Sequence, residues 1–168
     1  ASGAASSAGA DVYRGQRLGV GLGTANVVLS VVVARNRPVA GAWQHSTLVR
    51  DGVVVDWRGA VTAVGRLKDD LEARLKHRFT TAAVAIPPAI PDGFTKVFTN
   101  VLEACGLEVA EVVDEPVAAA RVLGLTDGCV IDVGPGTTRV SVLSGGAVIT
   151  TLNQATDGTQ TNHSLAGR

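Results

Sequence analysis

Two glycine-rich segments, Gly19-Val20-Gly21-Leu22-Gly23-Thr24 and Asp132-Val133-Gly134-Pro135-Gly136-Thr137-Thr138, share one anatomy. Each follows a short β-branched run and precedes another, so each reads as a hairpin tip with its backbone N–H groups clear of side-chain cover. Binding a phosphate takes several convergent N–H donors and no Cβ in the way. Two such tips facing across a cleft can hold a triphosphate. Gly21, Gly23, Gly134 and Gly136 would supply bare backbone, and Thr24 with Thr137 or Thr138 would add hydroxyl donors. Asp132, at the end of its strand, can hold a metal ion through water. Read alone, either segment is an ordinary hairpin turn in a chain with 20 glycines.

A third segment, Asp114-Glu115-Pro116-Val117-Ala118-Ala119-Ala120, puts a carboxylate at a strand-to-helix junction, followed by small residues that permit close helix packing. By itself Glu115 is an acidic first-turn residue that suits the helix dipole. Beside two phosphate-type turns it is also a group that positions a water for in-line attack on a γ-phosphate.

These residues must be carried by strands and helices of recognisable pattern. Arg17 to Leu22 and Asn26 to Ala34 read as strands joined by the first glycine turn, and Pro38 to Trp43 as a third strand after the Arg35-Asn36-Arg37 turn. Asp51-Gly52 marks a hairpin between Thr47-Leu48-Val49 and Val53-Val54-Val55. From Gly59 to about His77, Val61, Val64, Leu67, Leu71 and Leu75 recur at helical steps with charges on the other face. Thr81 to Ile86 is a buried-type strand stopped by Pro87-Pro88. Phe94 to Cys105 is a second amphipathic helix stopped by Gly106. Leu107 to Val113 is a strand, and Glu115-Pro116 opens a helix ended by Gly124. Val130 to Val133, Arg139 to Leu143 and Ala147 to Leu152 form a final meander, with Gly145-Gly146 a plain turn. The order predicts an α/β fold: a mixed β-sheet flanked by helices, with the strand-rich block occurring twice and its second copy cut short. The expected organisation is a flexible Ala/Gly/Ser-rich leader over 1–16, a first lobe over 17–124 and a partial second lobe over 125–168.

Composition narrows the function. At 168 residues with 46% hydrophobic residues the chain buries a real core. Fifteen basic and fifteen acidic residues cancel, so no global field draws in nucleic acid or an anionic membrane. No apolar run is long enough to span a bilayer; Val27 to Ala34 is strand-sized and carries Ser30. The Ala1 to Ala10 stretch has neither the basic residue nor the apolar run of a secretory signal. Cys105 and Cys129 read as two buried free thiols in a reducing cytoplasm, and His45, His77 and His163 are too scattered for a zinc site.

The three segments in this order, with Ala85-Ile86-Pro87-Pro88 between the first and second, resemble the actin-like ATPase superfamily, which includes DnaK-type chaperones, actin-type filament proteins and sugar kinases. Gly21-Leu22-Gly23-Thr24-Ala25-Asn26 looks like its first phosphate loop. Glu115 to Ala120 looks like its connecting helix in the chaperone-type form, and Asp132 to Thr138 like its second phosphate loop. A narrower resemblance is carried by Leu48-Val49-Arg50-Asp51-Gly52-Val53-Val54-Val55-Asp56, by Gly59-Ala60-Val61 with Arg66-Leu67-Lys68, and by Val101 to Val109 followed by Val113-Asp114-Glu115-Pro116. Over roughly Leu18 to Gly167 the chain is similar to the ethanolamine-utilisation J family of DnaK-like chaperones.

The resemblance implies an actin-like (RNase H-like) lobe with a truncated second copy, and a cytoplasmic bacterial protein associated with microcompartments. It implies ATP and Mg²⁺ as ligands, and ethanolamine-utilisation enzymes or microcompartment proteins as partners. Gly21, Gly23, Thr24, Asn26, Gly134, Gly136, Thr137 and Thr138 would then bind the nucleotide. Glu115 and Asp132 would carry the chemistry, Asp132 holding the metal. Three departures point to weak or lost hydrolysis. The first loop has Gly21 where the superfamily has an aspartate, the second has Pro135 where a glycine is usual, and the chain stops at Arg168 where the family continues. A truncated strand edge would invite pairing with a second copy. A non-catalytic scaffold that keeps the fold is the alternative; a sugar or acetate kinase fits the Glu-Pro-Val-Ala-Ala-Ala helix less well.

Overall fold

The computed structural model describes residues 15–50, 53–88, 90, 92–134 and 138–154. Strands β1 (Arg17–Leu22), β2 (Asn26–Val33) and β3 (Arg37–His45) form an antiparallel meander. A short pair, β4 (Val49–Arg50) and β5 (Val53–Val54), leads into helix α1 (Trp57–Leu75). Then follow β6 (Thr81–Ile86), α2 (Asp92–Ala104), β7 (Glu108–Asp114) and α3 (Glu115–Leu123). The chain continues through β8 (Gly128–Val133), β9 (Thr138–Ser144) and β10 (Ala147–Gln154). One sheet has the order β3-β2-β1-β6-β7, with β1, β6 and β7 parallel to one another; a second has the order β10-β9-β8 and is antiparallel throughout.

Alternation along the strands decides which face of the large sheet is dry. Leu18, Val20 and Leu22 of β1, Val27, Leu29, Val31 and Val33 of β2, and Ala82, Val84 and Ile86 of β6 are all buried. Helices α1 and α2 cover that face with Ala60, Val64, Leu67 and Leu71 and with Phe98, Val101 and Leu102. Full burial of Phe98, Leu71 and Leu102 makes this layer the main source of stability, at about 1.5–3 kcal/mol for each such side chain. The helices are closed by local chemistry. Asp56 accepts the Gly59 N–H at 2.9 Å and caps α1, which therefore starts at Trp57, two residues before the expected start at Gly59. Lys76 adopts a left-handed conformation that ends α1 at Leu75, short of His77. Gly124, at φ 68, ends α3.

The opposite face of the large sheet is different. Cross-strand register sets Val28, Gly21, Ala85 and Val113 in one row, on the side away from the main core. Two of the four positions carry little or no side chain, so the row forms a depression rather than a packed layer. Helix α3 packs along its β7 end, where Val117, Ala120 and Leu143 make a small second core with Val113, Val130 and Val148. That core joins the large sheet to the β8–β10 sheet.

Two expectations are corrected. Gly19 to Leu22 belong to β1, which has the expected bounds Arg17–Leu22, so the hairpin tip is not the whole glycine segment but residues 23–25 alone. Cys129 is exposed and Cys105 half-buried, so the pair of buried thiols does not exist. Cys129 is the second residue of β8, in a sheet on which Ile131, Val133, Ile149 and Leu152 are also exposed, and an apolar strand composition does not bury a residue without a covering layer. The Asp51-Gly52 turn, the 1–10 stretch and the tail after Gln154 lie outside the described residues.

Candidate functional site: a cleft between the two sheets

The depression on the far face of the large sheet is the floor of a cleft of about 440 Å³, a size that suits a small-molecule ligand. Gly21 and Val28 lie on the floor, Gly23 to Asn26 form one wall, and Glu115, Pro116 and Ala119 of α3 close the end. Val130 to Asp132, Gly134 and Arg139 form the facing wall. Three segments of the chain, the first far in sequence from the other two, thus meet on one cavity, and Gly21, Gly23, Thr24, Asn26, Glu115, Asp132 and Gly134 all line it. Thr138 opens β9, opposite Val133. Gly136 and Thr137, with Pro135, lie outside the described residues.

The first turn offers fewer donors than its glycines promise. Gly21 is paired on both sides, with Val28 and with Ala85, and contributes the lack of a side chain rather than a free N–H. The Gly23 N–H is already spent on the Asn26 carbonyl at 2.9 Å, which closes the turn. Thr24 and Ala25 are left at the tip, and the Ala25 carbonyl accepts the Ser46 N–H at 2.8 Å, which ties the tip to the end of β3. Among the described residues the Thr24 and Ala25 N–H groups have no partner, so they are the donors this wall presents to a ligand.

The other wall carries the charge. Glu115 is the first residue of α3, held there by the β7–α3 junction with Pro116 in the opening turn. Asp132 and Arg139 are direct cross-strand partners in the β8–β9 hairpin. The Arg139 Nη1 donates to Glu115 Oε2 at 3.1 Å and stands 4.0 Å from Asp132 Oδ2. Burial raises the Glu115 pKa; the Arg139 guanidinium pulls it back, while the Asp132 and Asp114 carboxylates push it further up. Burial wins, and the pKa stands above the usual glutamate value despite the ion pair. Asp114, next door, is raised by burial as well.

Arg139 is the residue that reading the motifs missed. Its signal was present in the strand register: once Val133 is placed opposite Thr138, Asp132 must face Arg139, and opposite charges in facing positions attract. The guanidinium bears on metal binding. Among the described residues Glu115 and Asp132 are the two carboxylates lining the cleft, and one cation is already between them. Gly21 adds no third carboxylate. Among the described residues no group of three acidic, histidine or cysteine side chains could hold a metal ion. The protein thus offers a metal ion two carboxylates that already share a guanidinium.

The model of the MreB/Mbl protein family matches residues 40–166, three-quarters of the chain. The chain belongs to the MreB/Mbl family. This member is 44% identical over 150 residues to the ethanolamine utilization protein EutJ of Salmonella typhimurium, an alignment that takes in 89% of the chain and 53% of that protein. The Escherichia coli EutJ is 43% identical over the same length. The chain spans about half the length of these curated relatives. The crystal structure of EutJ from Carboxydothermus hydrogenoformans superposes with a TM-score of 0.80 at 43% identity, over 90% of this chain and 56% of that one. MreB5 of Spiroplasma citri, solved bound to ADP, superposes with a TM-score of 0.66 at 19% identity, over 84% of this chain and 52% of that one. The fold of this MreB/Mbl member is therefore the actin-like one, a mixed sheet flanked by helices. No helix among the described residues is long and apolar enough to cross a membrane.

Proposed function

We propose that this chain is a EutJ-like, nucleotide-binding module of the ethanolamine-utilisation system that serves its enzymes or microcompartment proteins as a DnaK-like chaperone. The observation that carries the reading is the convergence of the Gly21–Asn26, Glu115–Ala119 and Val130–Arg139 segments on one cavity. Further support comes from the 44% identity to EutJ and from a fold shared with a neighbour solved bound to ADP. ATP would lay its phosphates between the Thr24–Ala25 tip and the β8–β9 hairpin, with Gly23, Asn26, Gly134, Gly136, Thr137 and Thr138 around them. Glu115 would orient water, but its carboxylate is engaged by Arg139, so turnover is expected to be slow or absent.

Titration calorimetry with ATP tests the reading: binding at micromolar to millimolar nucleotide supports it, and no heat at millimolar nucleotide defeats it. Hydrolysis is compared with the Glu115→Ala variant; rates indistinguishable from that control are expected.

A second reading, a non-catalytic module that binds partners through its surface, is favoured by the same Glu115–Arg139 pair, which occupies the carboxylate expected to orient water. Absence of ATP binding together with retained co-purification of ethanolamine-utilisation proteins would select it.

A further inference from the structure

The cleft brings two carboxylates and one guanidinium to the place where a phosphate ligand and its counter-ion would sit. Glu115 comes from the start of α3 and Asp132 from β8, and both face the same atom, Nη1 of Arg139, at 3.1 and 4.0 Å. The arginine side chain is only 14% exposed, so its charge is largely withdrawn from water and depends on these partners. A divalent ion bound to either carboxylate would stand within a few ångströms of that guanidinium, a like-charge contact in a partly desolvated site. The remaining N–H donors of the guanidinium, on Nη2 and Nε, have no partner among the described residues, and Arg139 lines the cleft. A planar guanidinium with unspent donors is suited to phosphate oxygens.

We infer that Arg139 is the built-in counter-cation of this cleft: it takes the position of a divalent metal between Glu115 and Asp132, and the nucleotide phosphates bind against it without Mg²⁺. The inference rests on the reading of the cleft as a nucleotide site. It assigns ligand recognition to a residue outside the glycine motifs, and it separates nucleotide binding from metal binding in this chain. Asp114 is the other charged group that acts on Glu115, and it adds negative charge, so Arg139 is the only cation lining the cleft among the described residues.

Two measurements on the full 168-residue chain test it. The first uses the metal alone. Mn²⁺ titration followed by electron paramagnetic resonance should find no site in the wild type at micromolar metal. Arg139→Gln should gain one, tighter by about tenfold or more, because a unit charge beside both carboxylates has been removed. The double variant Arg139→Gln/Asp132→Asn should lose it again. A wild-type Mn²⁺ site that disappears in Asp132→Asn, or no gain in folded Arg139→Gln, overturns the inference. The second measurement needs no variant: ATP affinity of the wild type in EDTA and in excess Mg²⁺. Equal affinities support the inference, and an Mg²⁺ requirement of about tenfold or more overturns it. ATP that binds in neither buffer defeats the nucleotide reading, and the Mn²⁺ titration still decides the place of Arg139 by itself.

Discussion

The Glu72 carboxylate accepts the backbone N–H of Phe79 at 2.8 Å and so fastens the last turn of α1 to the segment that enters β6. Lys68, one turn back, reaches the same carboxylate at 3.2 Å. Burial alone would raise the Glu72 pKa; the Phe79 N–H, Lys68 and Arg78 together outweigh it and hold the pKa below the usual value. A depressed folded-state pKa stabilises the protein above the unfolded value and stops doing so as pH falls through the folded one. Glu72→Gln should therefore cost about 1.5 kcal/mol at neutral pH. In thermal melts the gap between variant and wild type should shrink as pH drops below the ordinary glutamate range; a constant gap refutes the argument.

Glu115 should behave in the opposite sense. Its folded-state pKa is raised by burial, so its contribution is fully present below the unfolded value and is lost as pH rises through the folded one. Urea unfolding of wild type and Glu115→Gln from acid to neutral pH should show the wild type losing ground to the variant as pH rises. Parallel curves would mean that Arg139 compensates the buried charge completely.

Gly21 has room for a side chain. A Cβ built there meets nothing nearer than the Val28 carbonyl at 3.9 Å, and the backbone is ordinary strand. Gly21→Asp should fold at a cost of about 1 kcal/mol or less and place a third carboxylate on the cleft floor. Its divalent-metal affinity should exceed that of the wild type, read by Mn²⁺ titration with circular dichroism as the folding control. An unfolded Gly21→Asp would show that the floor is packed rather than open.

The two thiols should differ in reactivity. Cys129 is exposed, whereas Cys105 is half-buried, donates to the Val61 carbonyl at 3.4 Å and has its pKa raised by burial. Alkylation at mildly alkaline pH should give one fast and one slow phase, and Cys129→Ser should remove the fast one. Two equally fast phases would contradict the packing of Cys105 against α1.

Much of the fold could be read from the chain because its signals are local. Thr81 to Ile86 and Glu115 to Leu123 carry their own stops, Pro87-Pro88 and Gly124, and both elements form with the expected bounds. The meeting of Gly21, Glu115 and Asp132 in one cleft was legible only through order and resemblance, since nothing in a single segment says what it will face. Arg139 was hidden for a different reason. Its partner is set by hairpin register, and a seven-residue offset between opposite charges looks like nothing until β8 and β9 are paired. Cys129 departs from expectation because burial is a property of layers, and the apolar composition of β8 does not reveal whether a second layer lies on it.

The two cores described above are unequal: among the described residues, twenty buried side chains form the one beneath α1 and α2, and three form the one beneath α3. Local opening free energy follows buried contact, so the protein should come apart in stages. Amide protons of β9 would exchange through a partial opening that leaves β1, β2 and β6 protected. That opening detaches Arg139 from Glu115, so a ligand gripping both would slow exchange along the whole of β9. Hydrogen exchange at β9 is thus a gauge of occupancy in the cleft, available without any enzymatic readout.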